Sequence, residues 1–143
     1  MFKNILVALD NSAFADKVMA QAIDLAKTLD AKLTGISVVD YSVMTYVDAN
    51  GPVVMPEVLD AIRDSYEIVL NKCAAEAKKA GVHFKQETLT GNPAGTILDY
   101  ADENGHDLIV VGHIGRSAAS QFLLGSVSNK VSNYAKCSVL IVK

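Results

Sequence analysis

The chain has 143 residues, 50% of them hydrophobic and 20% charged, with a formal net charge of −3. That apolar content excludes intrinsic disorder, the length suits one compact domain over residues 1–143, and no apolar run approaches the roughly 20 residues of a membrane span. An acidic balance without a Lys or Arg block excludes non-specific nucleic-acid binding, yet it is compatible with a small anion held in one focused pocket.

Met1-Phe2-Lys3-Asn4 leads directly into a strand, without the charged n-region, apolar h-region and cleavage site of a secretory signal, so a soluble cytoplasmic protein is expected. The first strand is Lys3 to Leu9. The first helix starts with Asn11 or Ser12 as N-cap and carries Val18, Met19, Ala22, Leu25, Ala26 and Leu29 on one stripe. Lys32 to Val39 is the second strand. From Asp40 to Met55 the chain is expected to be irregular, although Tyr41, Met44, Tyr46, Val47, Val53, Val54 and Met55 make it too apolar for an idle loop. It is either a flap beside a ligand or a covering layer or dimer contact. A second helix runs from Pro56 to Ala80, with Leu59, Ile62, Tyr66, Val69, Cys73 and Ala77 at helical spacing and Gly81 as its stop. The third strand, His83 to Leu89, carries Lys85, Gln86 and Glu87 and is therefore assigned to a sheet edge. Asn92-Pro93 has N-cap and N1 chemistry for a third helix through Ala101 or Asp102. Asp107 to Val111 is the fourth strand, a fourth helix follows Ser126 and ends near Tyr134 to Lys136, and Ser138 to Val142 is the fifth strand. Strands alternating with helices in this way make an α/β fold, an open parallel sheet with helices on both faces.

Cys73 and Cys137 form no CxxC pair, and His83, His106 and His113 show no HxxxH spacing, so a protein metal cage is not expected. Both cysteines read as packing residues.

The informative feature is Gly112-His113-Ile114-Gly115, followed after nine residues by Gly125-Ser126. A strand end, a glycine loop and a helix start converge there, and such a place attracts anions: glycine permits positive φ and close backbone approach, and a helix start offers free N–H groups. In an open parallel sheet ligands sit beyond the carboxyl ends of the strands, where the winding direction reverses. If the first strand is central, its end at Ala8-Leu9-Asp10 meets the end of the second at Val38-Val39-Asp40 and the glycine loop. That crevice suits a nucleotide, with Asp10 near ribose hydroxyls or a metal, the second strand near the base and the loop on the phosphates. Asp10 can equally serve as a helix N-cap. Arg116 can reach a phosphate or point to solvent, and so can His113. Among Ser117, Ser120, Ser126 and Ser128, the two at the helix start are best placed. No GxxxxGK[ST] and no GxGxxG after the first strand occur, which excludes a Walker loop and a dinucleotide fingerprint.

Taken together, Asn4 to Asp10, Gly91-Asn92-Pro93, Leu108 to Gly115, Gly125 to Val131 and Val139 to Val142 resemble the universal stress protein family over essentially the whole chain. The G-x2-G-x9-G-[ST] pattern is that family's ATP-binding signature, complete here. The resemblance implies an adenine nucleotide alpha hydrolase-like, Rossmann-like sheet of five strands in order 3-2-1-4-5, a homodimer, and ATP held with a divalent ion, Mg or Mn. It places Ala8, Leu9 and Asp10 at base and ribose and Val38 at adenine. Val111, Gly112, Gly115, Arg116, Gly125, Ser126, Val127 and Ser128 would hold the phosphates. Ile114 stands where a small or polar residue is common.

No catalytic residue is assigned, because Asp10 is the only acidic candidate and already has a ribose or capping role. The leading expectation is a nucleotide-binding stress or regulatory module, with at most slow ATP hydrolysis or self-phosphorylation on Ser126 or Ser128. An adenine-nucleotide hydrolase is the enzymatic alternative, and a structural dimer partner with a vestigial cradle is a third. With the implied strand order, the last strand is an edge, apolar on both faces and unprotected by proline, charge or bulge. Pairing with its symmetry mate would give a closed two-fold dimer, unless the stretch from Asp40 to Met55 or the chain's own helices shield it.

Overall fold

A computed structural model describes residues 1–40, 42, 45–114 and 124–143. The main sheet has five parallel strands, β1 (Asn4–Ala8), β2 (Lys32–Val39), β5 (Phe84–Thr90), β6 (Leu108–Gly112) and β7 (Ser138–Val142), in the spatial order β5-β2-β1-β6-β7. This is the expected 3-2-1-4-5 order, with β1 in the centre and the more polar β5 at an edge. Val-, Ile- and Leu-rich segments occupy the central strands because both faces of a parallel sheet are covered. Alternate residues accordingly split between two cores. Ile5, Val7, Leu33, Leu108 and Val110 pack under α1 (Ala15–Leu29) and α2 (Pro56–Ala80). Leu6, Ile36, Val38, Ile109 and Val111 pack under α3 (Pro93–Glu103) and α4 (Ser126–Tyr134).

Most helix boundaries follow local chemistry. Asn92 caps α3 by accepting the Gly95 N–H at 3.0 Å, with Pro93 beginning the helix. Gly81 stops α2 in the left-handed conformation, φ 75°, as a C-terminal glycine does. α1 departs from expectation. Neither Asn11 nor Ser12 caps it. Asp10 Oδ1 accepts the Ser12 N–H at 2.9 Å, the chain turns through residues 11–14, and α1 begins after Phe14 without a side-chain cap. The N-cap residue Phe14 makes a tertiary contact instead: its ring meets His113 edge-on, centroids 5.3 Å apart.

The stretch from Asp40 to Met55 is also not irregular. It contains an antiparallel hairpin, β3 (Thr45–Asp48) and β4 (Gly51–Val54), which forms its own two-stranded sheet. Asp48 Oδ1 accepts the Asn50 N–H at 2.7 Å, and Gly51 takes φ 111°, a conformation that only glycine adopts without strain. No helix among the described residues is long and apolar enough to cross a membrane.

Candidate functional site

The chain winds from β1 outward through β2 to β5, then returns to the other side of β1 for β6 and β7. Where the direction reverses, the carboxyl ends of β1, β2 and β6 cannot all be roofed by their following connections, and a crevice opens. Its volume is about 580 Å³, within the range of ligand sites. Hydrogen bonds hold its floor. The Leu9 N–H donates to Ile36 O at 2.9 Å, and the buried Ser37 hydroxyl donates to Leu9 O at 2.8 Å, so β1 and β2 stay registered beyond their last paired residues.

The crevice brings together Ala8, Leu9, Asp10, Val38, Val111, Gly112, Gly125, Ser126, Val127 and Ser128. Gly115 and Arg116, with Ser117 and Ser120, lie outside the described residues. Gly112 serves by its small size, not by left-handed backbone. A Cβ there would stand 3.2 Å from Val18 Cγ2 and 3.3 Å from the Ile114 carbonyl oxygen. Gly125 likewise has a negative φ, −57°, and is the N-cap of α4. The Gly125 N–H donates to His113 O at 2.7 Å, and the His113 N–H donates to Val142 O at 2.9 Å, which ties the loop base to the sheet. The Ser128 hydroxyl, buried, donates to Gly112 O and fixes the first turn of α4 against the end of β6. Ser126 is exposed. Among the described residues no side chain caps α4, so its first-turn N–H groups present the positive end of the helix dipole at the crevice.

Charge among the described lining of the site is one-sided. Asp10 and Asp40 are the charged residues among its described lining, and each carboxylate accepts a backbone N–H, from Ser12 and Ser42 respectively, both at 2.9 Å. Among the described residues no group of three or more His, Cys, Asp or Glu gathers around a point where a metal could sit. His113, a candidate phosphate contact, is not in the lining. It packs on Phe14 with its Nδ1 buried and without a hydrogen-bond partner.

Sequence reasoning missed one wall. Val58, Ile62 and Tyr66 on α2 line the crevice, as do Phe14, Pro93 and Ile97. Ile62 and Tyr66 read as core because their helical spacing is the same whether a stripe covers the sheet or overhangs its end. The signal was the position of the stripe's first two turns, which follow the carboxyl end of β2 and so must pass over it.

The sequence model described as the Universal stress protein family matches residues 1–143. The chain belongs to the universal stress protein family. Universal stress protein YxiE of Bacillus subtilis (strain 168) is 38% identical over 148 residues, covering 100% of both chains. Among solved structures, universal stress protein UspA from Lactobacillus plantarum is 28% identical with a TM-score of 0.84, covering 99% of this chain and 98% of its own. A universal stress protein crystallised in complex with cAMP is 25% identical with a TM-score of 0.73, covering 99% of this chain and 96% of its own. The described part of the glycine signature, Gly112, Gly125 and Ser126, thus lines a crevice at the end of the sheet together with Asp10 and Asp40.

Proposed function

We propose that this protein binds an adenine nucleotide in the crevice at the carboxyl ends of β1, β2 and β6, and that ATP with a Mg or Mn ion is the form it takes. The observation that carries the reading is that the start of α4, uncapped among the described residues, lines the same crevice as Gly112 and Asp10. Anion-seeking N–H groups and a hydroxyl-accepting carboxylate in one crevice match the phosphate and ribose of one nucleotide. The solved relative in complex with cAMP supports the same ligand class. In this reading Val38 lies against adenine, and Asp10 accepts from a ribose hydroxyl beside Ala8 and Leu9. Val111, Gly112, Gly115, Arg116, Gly125, Ser126, Val127 and Ser128 surround the phosphates. In this reading the divalent ion rides on the nucleotide's phosphates, a mode that suits Mg.

The role is a cytoplasmic, homodimeric regulatory module in the stress response, with turnover far below the ordinary enzyme rate of about 10 per second. Asp10 and Asp40, the acidic groups of the described lining, each hold a backbone N–H with one oxygen and offer the other to a ligand hydroxyl, a binding role in this reading. Of the two serines considered for self-phosphorylation, exposed Ser126 fits an acceptor, whereas buried Ser128 is committed to Gly112. The dimer forms through β7, whose outer edge has no partner strand among the described residues and whose Leu140 is exposed.

Calorimetric titration with ATP and Mg tests the reading. The expected Kd is micromolar, about −8 kcal/mol, with binding lost in a folded Gly115→Val variant. No binding by the wild type at millimolar nucleotide, or unchanged binding by that variant, overturns the assignment.

A further inference from the structure

Among the described residues the β3–β4 hairpin contributes to neither core and pairs only with itself, and a lone two-stranded hairpin is marginal in water. Val47 and its cross-strand partner Pro52 share a face and are both exposed, Val47 to 78%. Met55 and Val58, at its exit, are exposed too. An apolar surface of this kind needs something to cover. The location says what. The hairpin springs from Asp40 and returns at Val58, and both of these residues line the crevice. Before it, Asp40 Oδ1 accepts the Ser42 N–H and hydroxyl, and after it Pro56 begins α2.

We infer that the β3–β4 hairpin is a flap that closes over the base and ribose of a nucleotide in the crevice, with Asp40 coupling the ligand to the flap. The inference rests on the nucleotide reading above. The phosphate end of such a ligand is held at α4, which leaves the base and ribose end on the side where the flap is rooted. Asp40 lines the crevice, and its Oδ1 holds Ser42 beside the flap. A ligand hydroxyl that donates to the other carboxylate oxygen, Oδ2, is joined through Asp40 to the group that holds Ser42. Closure puts Val47 and Pro52 against the flat apolar face of a purine, which removes both surfaces from water.

The test compares wild type, a variant with residues 45–54 replaced by a short Gly-Ser linker, and Val47→Asp, all titrated with ATP and Mg. Amide hydrogen exchange across 45–54 in the wild type is expected to slow at least roughly tenfold at saturating nucleotide, and the linker variant to bind roughly tenfold more weakly. Val47→Asp, which leaves the hairpin in place, is expected to weaken binding several-fold. If calorimetry shows wild-type binding while hairpin exchange is unmoved and both variants keep the wild-type Kd, the flap is overturned and the nucleotide reading stands. If the wild type binds no nucleotide, both fall. Should the linker variant fail to fold, wild-type exchange and Val47→Asp decide the matter.

Discussion

Gly112→Ala probes the tightest point of the crevice. The added methyl would lie 3.2 Å from Val18 Cγ2 and 3.3 Å from the Ile114 carbonyl oxygen, so one of the two must yield by a few tenths of an ångström. Val18 is 3% exposed on α1, and a β-branched side chain in a helix has essentially one rotamer, so it cannot swing aside. The strain therefore falls mainly on the Ile114 backbone, the entrance to the glycine loop. Overpacking of this size costs about 1 to 2 kcal/mol, equivalent to a urea midpoint lowered by roughly 0.5 to 1 M or a Tm lowered by about 3 to 6 °C. Val18→Ala is destabilising by itself, because it leaves a cavity. Combined with Gly112→Ala, however, it removes one of the two clashes. Urea unfolding of the four proteins should then show the double variant more stable than the sum of the singles by about 0.5 to 1 kcal/mol. Additive effects, or a Gly112→Ala protein as stable as wild type, would refute the argument that Gly112 is there for space.

Three further outcomes follow from other parts of the fold. Burial lowers the pKa of His106, outweighing the neighbouring Asp107 carboxylate, so the folded protein prefers the neutral ring. Its contribution is complete above the unfolded value of about 6.5 and is lost as pH falls below it; the urea midpoint should drop from pH 7 to 5, and less steeply in His106→Phe. An equal slope in that variant would contradict this. The buried Cys73 thiol, pushed up to about 12, should resist alkylation in the native protein at pH 8 while half-buried Cys137 reacts first; native labelling of Cys73 at the faster rate would contradict its place in the core. Leu140→Lys at the open edge of β7 should shift the proposed dimer toward monomer in sedimentation at micromolar concentration, and a monomeric wild type would sink the dimer itself.

The sheet was legible because its strands are buried on both faces and therefore stand out as unbroken apolar runs between glycines and capping residues. The order of the strands came with the family resemblance. What stayed hidden was set by contacts distant in sequence. Asn11 and Ser12 have the chemistry of a cap, but Asp10 takes the Ser12 N–H and Phe14 is drawn onto His113, residues that no local window connects. The hairpin had a local signal that went unread: Asn50-Gly51 between β-prone segments is strong turn chemistry. Apolar content spread over residues 40–55 obscured it. At the site, the residues on strand ends and at the start of α4 were legible from the glycine spacing. The α2 wall was not, since Ile62 and Tyr66 look the same in sequence whether they cover a core or a ligand.

The central claim is that one ligand spans the crevice from Asp10 to α4. Backbone amide chemical shifts, recorded during titration with ATP and Mg, test it most directly. The account predicts that the largest changes fall on Ala8, Leu9 and Asp10, on Val38, and on Val111, Gly112 and residues 125–128, and that they saturate together at micromolar affinity. Changes centred elsewhere, such as the groove between α1 and α2 lined by Asp16, Asp24, Lys72 and Glu76, would contradict it, as would no change at millimolar nucleotide.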